Sequence, residues 1–109
     1  MVLMTTVILA DYAHARAGDK GNILSIAVFP LDPAHYAWLR RELTAERVAA
    51  QFATRRPSRV QRYEVASLAA LNFVLDDALE GGVNRSPGLD RHGKSLSYLL
   101  LSMRLPAPG

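Results

Sequence analysis

Apolar residues occur along this chain in runs whose spacing predicts strands in four places. Thr5–Tyr12 begins with β-branched and apolar residues, which favours a first strand. In Ile23–Phe29 both alternating faces are mostly apolar, as is typical of a central strand covered on both sides. Val60–Val65 alternates in the way expected of a strand with one wetter face. The apolar run in Ser95–Leu105 predicts the last strand.

Two short helices are predicted between Asp32 and Ala53. Asp32 is a suitable N-cap, and Pro33 fits the first helical position because its missing N–H is not needed there. Thr44 is a second N-cap, so the two helices should meet near Leu43. The apolar positions that repeat at helical spacing are Tyr36, Leu39, Leu43, Val48 and Phe52.

A third helix is predicted after Ser67, which would cap it. Leucines recur at three- and four-residue spacing, and Gly81–Gly82 would supply a left-handed terminator. The leucines of this stripe are Leu68, Leu71, Leu75 and Leu79.

The order of these elements is strand, strand, helices, strand, helix, strand. It predicts an α/β protein of the α+β two-layer sandwich type, with about four strands and helices packed on one face of the sheet. The other sheet face would need cover from a partner or a second copy, so we expect an oligomer or a larger complex. We expect one domain over residues 1–109, with its core at 5–105 and a flexible tail at 106–109.

Composition narrows the class of protein. The chain has 109 residues, 50% of them hydrophobic and 21% charged, which suits one independent core and excludes general disorder. It has no cysteine, which excludes disulfides, thiolate catalysis and cysteine-ligated metal centres, and fits a reducing compartment. Met1–Ala10 lacks a basic segment and a cleavage site, and no apolar run reaches membrane-spanning length. We therefore expect a cytoplasmic protein that does not contact membranes.

Positive charge is concentrated in one segment. The formal net charge is +3, and Arg40–Arg62 holds seven Arg against Glu42 and Glu46. Aromatic residues are not interleaved through this segment as a stacking platform for nucleic acid would require. We interpret it as a solvated face and expect no nucleic-acid partner.

The first polar segment, Ala13–Asn22, is predicted to be a loop. Its glycines Gly18 and Gly21 could direct consecutive N–H groups into an anion cradle, although the spacing is not that of a P-loop. The alternative is a plain hairpin connection in which an acidic side chain caps the turn. The charged ligand-binding candidates here are Arg16, Asp19 and Lys20.

The second polar segment, Val83–Lys94, is also predicted to be a loop. Arg85 could hold a carboxylate or phosphate in a bidentate manner, with Lys94 adding charge. Hydrolytic triads are usually assembled from distant segments, so three suitable residue types in one loop are weak evidence for catalysis. Those residues are Ser86, Asp90 and His92, of which Asp90 and His92 are the candidate catalytic acid or base and Ser86 a ligand contact.

Histidine and asparagine are two further residue types with the chemistry to bind a metal or a ligand. The three histidines lack metal-ligand spacing, so we expect no metal, and nothing in the sequence implies a cofactor. Asn72 lies in the middle of the predicted third helix, where a buried amide must be hydrogen-bonded. It would tie that helix to a loop backbone or contact a ligand.

Five segments of the chain form a recognisable series: His14–Asn22, Arg62–Glu64, Ala70–Leu75, Gly81–Ser86 and Leu89–Lys94. In this order they together resemble the AtuA-like ferredoxin-fold domain. That domain resembles the C-terminal part of the acyclic terpene utilisation (AtuA) proteins and also occurs as a small stand-alone chain. The resemblance covers about residues 7–104, although Ala17, Asn84 and Pro87–Gly88 depart from the family pattern.

The resemblance implies a ferredoxin-like fold and a link to acyclic terpene or acyl-CoA catabolism. The expected function is that of an accessory domain acting with a longer AtuA-type subunit or as a homo-oligomer. The alternative is an independent small enzyme or binding protein for an anionic ligand, an acyl-CoA or a carboxylate, that uses the loops at 16–22 and 84–94. The resemblance carries over no catalytic residues, so whether the chain is an enzyme stays open.

Overall fold

The computed structural model describes residues 5–78 and 96–108. These residues form one four-stranded sheet, one two-stranded sheet and helices, linked by short 3-10 turns. The strands and helices, in chain order, are β1 (Thr6–Ile8), β2 (Ala13–Lys20), β3 (Ile23–Pro30), α1 (Tyr36–Glu42), α2 (Ala45–Gln51), β4 (Arg59–Val65), β5 (Ala70–Asp76), α3 (residues 96–101) and β6 (Arg104–Pro106).

The larger sheet is antiparallel, with strand order β2-β3-β5-β4. Alternate side chains of its two central strands are buried in the hydrophobic core, where residues of α1, α2 and α3 join them. The fold is therefore α+β, with helices on one face of a four-stranded sheet, as the sequence predicts. The buried residues of the central strands are Leu24, Ile26, Val28, Leu71, Phe73 and Leu75.

The two predicted helices and their caps are confirmed. The Asp32 carboxylate accepts a hydrogen bond from Ala34 N–H at 2.9 Å, at the 3-10 turn that leads into α1. The Thr44 hydroxyl accepts one from Arg47 N–H at 3.1 Å and begins α2. These bonds are local, because each cap reaches a backbone donor only two or three residues along the chain.

The prediction of a loop over Ala13–Asn22 is wrong, because Ala13–Lys20 is strand β2. It pairs along its whole length with β3, and the two-residue turn is closed where Gly21 takes a φ of 62°. Three of the four inward positions of β2 are alanines, which carry little of the β-branched pattern of a typical strand. The predicted first strand is correspondingly shorter: only Thr6–Ile8 is extended, and a 3-10 turn follows at Leu9–Asp11.

The predicted third helix is also wrong, because Ala70–Asp76 is strand β5. Leu71 and Leu75 are four residues apart, a spacing that fits a helix and a strand equally. Phe73 lies between them and is buried with them, which only a two-residue period allows, whereas Leu68 is 65% exposed. The predicted terminator and Leu79 lie outside the described residues.

The last predicted strand is helical over most of its described length. Residues 96–101 form α3, in which Leu96 and Leu100 face the core and Tyr98 is 69% exposed. Only Arg104–Pro106 is a strand, and it pairs with β1 in the separate two-stranded sheet. Pairing continues beyond the predicted start of the tail, since Ala107 N–H donates to Thr5 O at 2.9 Å. None of the helices within residues 5–78 and 96–108 has the length and apolar character of a membrane span.

Candidate functional site

The face of the four-stranded sheet opposite the helices is uncovered in the part of the chain that the structure describes. Ser25, Ala27 and Asn72 on this face are only half-buried, and Ile23 and Tyr63 are 45% and 48% exposed. β3 is thus central, as predicted, but the chain's described residues cover only one of its faces.

The strand register aligns the residues of this uncovered face in rows. Residues directly opposite each other on neighbouring strands share a face. The row nearest the middle of the sheet, read from β2 to β4, is Arg16, Ala27, Asn72 and Tyr63. The adjacent row is Gly18, Ser25, Val74 and Gln61.

One hydrogen bond orients the Asn72 side chain in the row Arg16, Ala27, Asn72 and Tyr63. The Ser25 hydroxyl donates to Asn72 Oδ1 at 3.4 Å, across β3 and β5. This leaves the Asn72 amino group without a partner among the described residues. Arg16 has neither a hydrogen bond nor an ion pair with any described residue, and it is exposed. The uncovered face therefore holds unused donors on both sides of Ala27.

The two ends of β2 place different side chains on the uncovered face, an aromatic pair at one end and a lysine at the other. At one end of β2 the His14 ring stacks on Phe29, with centroids 5.0 Å apart and planes 14° apart. At the other end Lys20 lies opposite Ile23, beside the turn. The small residues lie between these ends, and apart from the two chain neighbours of Gly18 no residue has an atom within 4 Å of the position that a Cβ at Gly18 would take.

The structure brings together three of the predicted binding residues and separates the fourth. Arg16, Lys20 and Asn72 share the uncovered face, whereas Asp19 pairs with Leu24 and belongs to the opposite face. Asn72 lies on a strand and accepts from a side chain of the neighbouring strand, which corrects the predicted helix-to-loop tie.

The predicted anion cradle is also corrected. Gly18 lies within β2, opposite Ser25, and only Gly21 occupies the turn, so the two glycines do not form one concave loop. The remaining candidates, Arg85, Ser86, Asp90, His92 and Lys94, lie outside the described residues. A site shared between the two polar segments stays a prediction.

A cleft of about 790 Å³ follows the outer edge of β2. Its walls are Ala15–Asp19 on one side and Ser97 and Tyr98 on the other. Arg16 therefore borders both the cleft and the uncovered face. Ser97 and Tyr98 were not among the predicted site residues, because the sequence pattern predicted a strand there. Tyr63 and Gln61 were not predicted either, because only the register places them beside Asn72 and Val74.

The arginine-rich segment is largely occupied by structural contacts. Arg62 donates to the carbonyl oxygens of Arg40 and Leu43, the latter at 3.0 Å, and so holds β4 to the end of α1. Arg59 pairs with Asp76 at 3.0 Å, from β4 to β5. These contacts use guanidinium groups that a nucleic-acid surface would direct outward together.

Comparisons with known proteins place the whole fold in one family. The family model of the AtuA ferredoxin-like domain matches residues 7–106, which is nearly the whole chain. No curated protein and no solved structure matches it. The match spans both sheets and every described element after the first residues of β1. The chain belongs to the AtuA ferredoxin-like domain family.

Proposed function

We propose that this domain is a cytoplasmic accessory module that acts with a longer AtuA-type chain in acyclic terpene or acyl-CoA catabolism. The observation that carries the proposal is the face of the four-stranded sheet that the described residues leave uncovered. One face of this sheet is packed against helices, while the other presents half-buried Ala27 and Val74 between exposed Tyr63 and Ile23. Exposed apolar surface of this kind is typical of interaction sites.

The chemistry of the face favours a protein partner with an acidic rim. Uncharged residues occupy its middle, as in the cores of protein interfaces, which are depleted in charge. Arg16 and Lys20 lie along its β2 edge without ion pairs to described residues. Family membership supports this partner class, because the domain resembles one part of a longer protein.

Complex formation tests this proposal. We expect the chain, co-expressed with a longer AtuA-type chain of the same organism, to elute with it as one complex of defined mass by light scattering. Val74→Glu places a charge in the middle of the face and is expected to weaken the complex at least tenfold, because a desolvated unpaired carboxylate opposes burial. The affinity of each purified variant would be measured by titration.

A matched variant controls for the added charge. Ala37→Glu adds the same carboxylate to the exposed side of α1 and should leave the complex intact. Tyr63→Glu repeats the test at the edge of the face, where the side chain is 48% exposed and a charge should cost less folding stability than at Val74. A complex insensitive to both sheet variants, or a homodimer that excludes the longer chain, contradicts the proposal.

A second function is favoured by a different observation. Arg16 and Asn72 lie in one row on the same face of the sheet, and both have N–H donors that no described residue uses. This is the arrangement needed to bind a carboxylate or phosphate, as an independent binding protein or enzyme for an anionic ligand would do.

A further inference from the structure

We propose that the uncovered sheet face carries an anion-binding site centred above Ala27, with Arg16 and Asn72 on either side. The inference rests on the second proposed function, the binding of an anionic ligand, and specifies where and how the anion is held. The ligand is a carboxylate or phosphate that also has a flat or apolar body. Tyr63 and the stacked His14–Phe29 pair would border that body.

Strand register determines the width of the site. Arg16, Ala27 and Asn72 are consecutive members of one row on β2, β3 and β5. Neighbouring strands are about 4.8 Å apart, so the backbones that carry Arg16 and Asn72 are about 10 Å apart. An arginine side chain is long enough to lean over the methyl group of Ala27, where it would meet an anion together with the Asn72 amide.

Unused hydrogen-bonding capacity points to this row. The Arg16 guanidinium offers five N–H donors, and no described residue accepts from any of them. Arg59 and Arg62, by contrast, are paired to carboxylates and to carbonyl oxygens. Ser25 holds Asn72 Oδ1 at 3.4 Å, which directs the amino group of the same amide away from Ser25. Guanidinium and amide donors in one row, on either side of a small residue, suit an oxyanion that binds between them.

The shape of the face defines the body of the ligand. Gly18, Ser25 and Ala27 form a floor of small residues, and the space above Gly18 is empty to 4 Å. Tyr63 rises beyond Asn72, and its ring is available for stacking because the residue is 48% exposed. A bare inorganic anion would leave these surfaces unused, so a ring or alkyl chain attached to the anion should strengthen binding.

Titration of the isolated chain with small probes tests the site, with amide chemical shifts as the readout. Phenyl phosphate and octanoate combine an anion with an apolar body, while inorganic phosphate and benzyl alcohol each lack one part. We expect saturable shifts with phenyl phosphate or octanoate at residues of the middle row. The two single-part probes should bind at least tenfold more weakly.

Three variants separate a site from general attraction to a basic protein. Arg16→Ala should weaken binding of the effective probe at least tenfold, since it removes the charge and the bidentate donors. Ala27→Leu keeps both donors but fills the space above the floor, and it should abolish binding. Arg104→Ala removes one positive charge from β6, in the other sheet, and should leave binding unchanged.

The inference is overturned if no probe binds, if Arg104→Ala weakens binding as much as Arg16→Ala, or if Ala27→Leu binds normally. Binding of a probe that neither Arg16→Ala nor Ala27→Leu weakens would overturn this site but leave the second proposed function, anion binding, in place. Failure of the site is also distinguishable from failure of the docking proposal. The titration uses the isolated chain and the row at Arg16, whereas docking is measured with a longer chain and the Val74→Glu variant.

Discussion

Phe73→Ala is expected to lower the free energy of unfolding by about 3–5 kcal/mol. Phe73 is fully buried in β5, directly opposite Ile26 of β3, which is also fully buried. Removing the ring forfeits the free energy gained by transferring it from water to the core. It also leaves a cavity that does not close, because β5 is held between β3 and β4. Domains of this size have roughly 5–15 kcal/mol of stability in total, so the loss is a large fraction of it.

Thermal unfolding followed by circular dichroism checks this result. The expected drop in Tm is about 12–40 °C, from the usual shift of about 4–8 °C per kcal/mol. Leu68→Ala is the matched control, because Leu68 belongs to the predicted helical stripe but is 65% exposed in the structure. It should change stability by less than about 0.5 kcal/mol. Equal losses in the two variants would contradict the assignment of β5 as a strand.

Trp38→Ala is expected to cost about 3–5 kcal/mol, because it removes the largest side chain of α1 from the core. The Trp38 indole N–H also donates to Pro106 O at 2.8 Å and so joins α1 to β6. Its ring contacts Tyr12, with centroids 5.3 Å apart. Trp38→Phe keeps most of the packing but leaves the Pro106 carbonyl without this donor, which should cost about 1–3 kcal/mol.

Hydrogen exchange distinguishes the two effects. In Trp38→Phe the amide of Ala107, which donates to Thr5 O, should exchange faster, while amides of β5 keep their protection relative to global stability. Tyr98→Ala removes another aromatic ring at a position that is 69% exposed and should cost less than about 0.5 kcal/mol. Unchanged exchange at Ala107 in Trp38→Phe would mean that the indole does not hold the C-terminal strand.

Features that depend on neighbours along the chain were predictable from the sequence. The caps at Asp32 and Thr44 bond to Ala34 and Arg47, two and three residues away. The apolar spacing of α1 and α2 and the alternation in β3 and β4 are also local patterns. The arrangement of helices on one face of a four-stranded sheet followed from these elements.

Features that depend on contacts in the folded protein, and not on the residues of the segment itself, were mispredicted. β2 is built on alternating alanines and polar residues, a pattern too weakly apolar to indicate a strand until β3 pairs with it. In β5 the leucine spacing fits both the helical period and the two-residue period of a strand. The strand period holds, because Phe73 between the leucines is also buried. In α3 the longer, helical period holds, since Leu96 and Leu100 are buried while Tyr98 between them is 69% exposed.

The candidate site also combines features that the sequence predicted with features that only the structure shows. The sequence by itself determined which residue types were available: Arg16, Lys20 and Asn72 were candidates from their chemistry alone. Only the tertiary structure decided that Arg16 and Asn72 lie in one row and that Asp19 faces the opposite side. The physical reason is that side chains alternate between the faces of a sheet. Whether Arg16 and Asn72 share a row is therefore set by the hydrogen-bonded register of β3 with β5, two strands far apart in the sequence, and not by spacing along the chain.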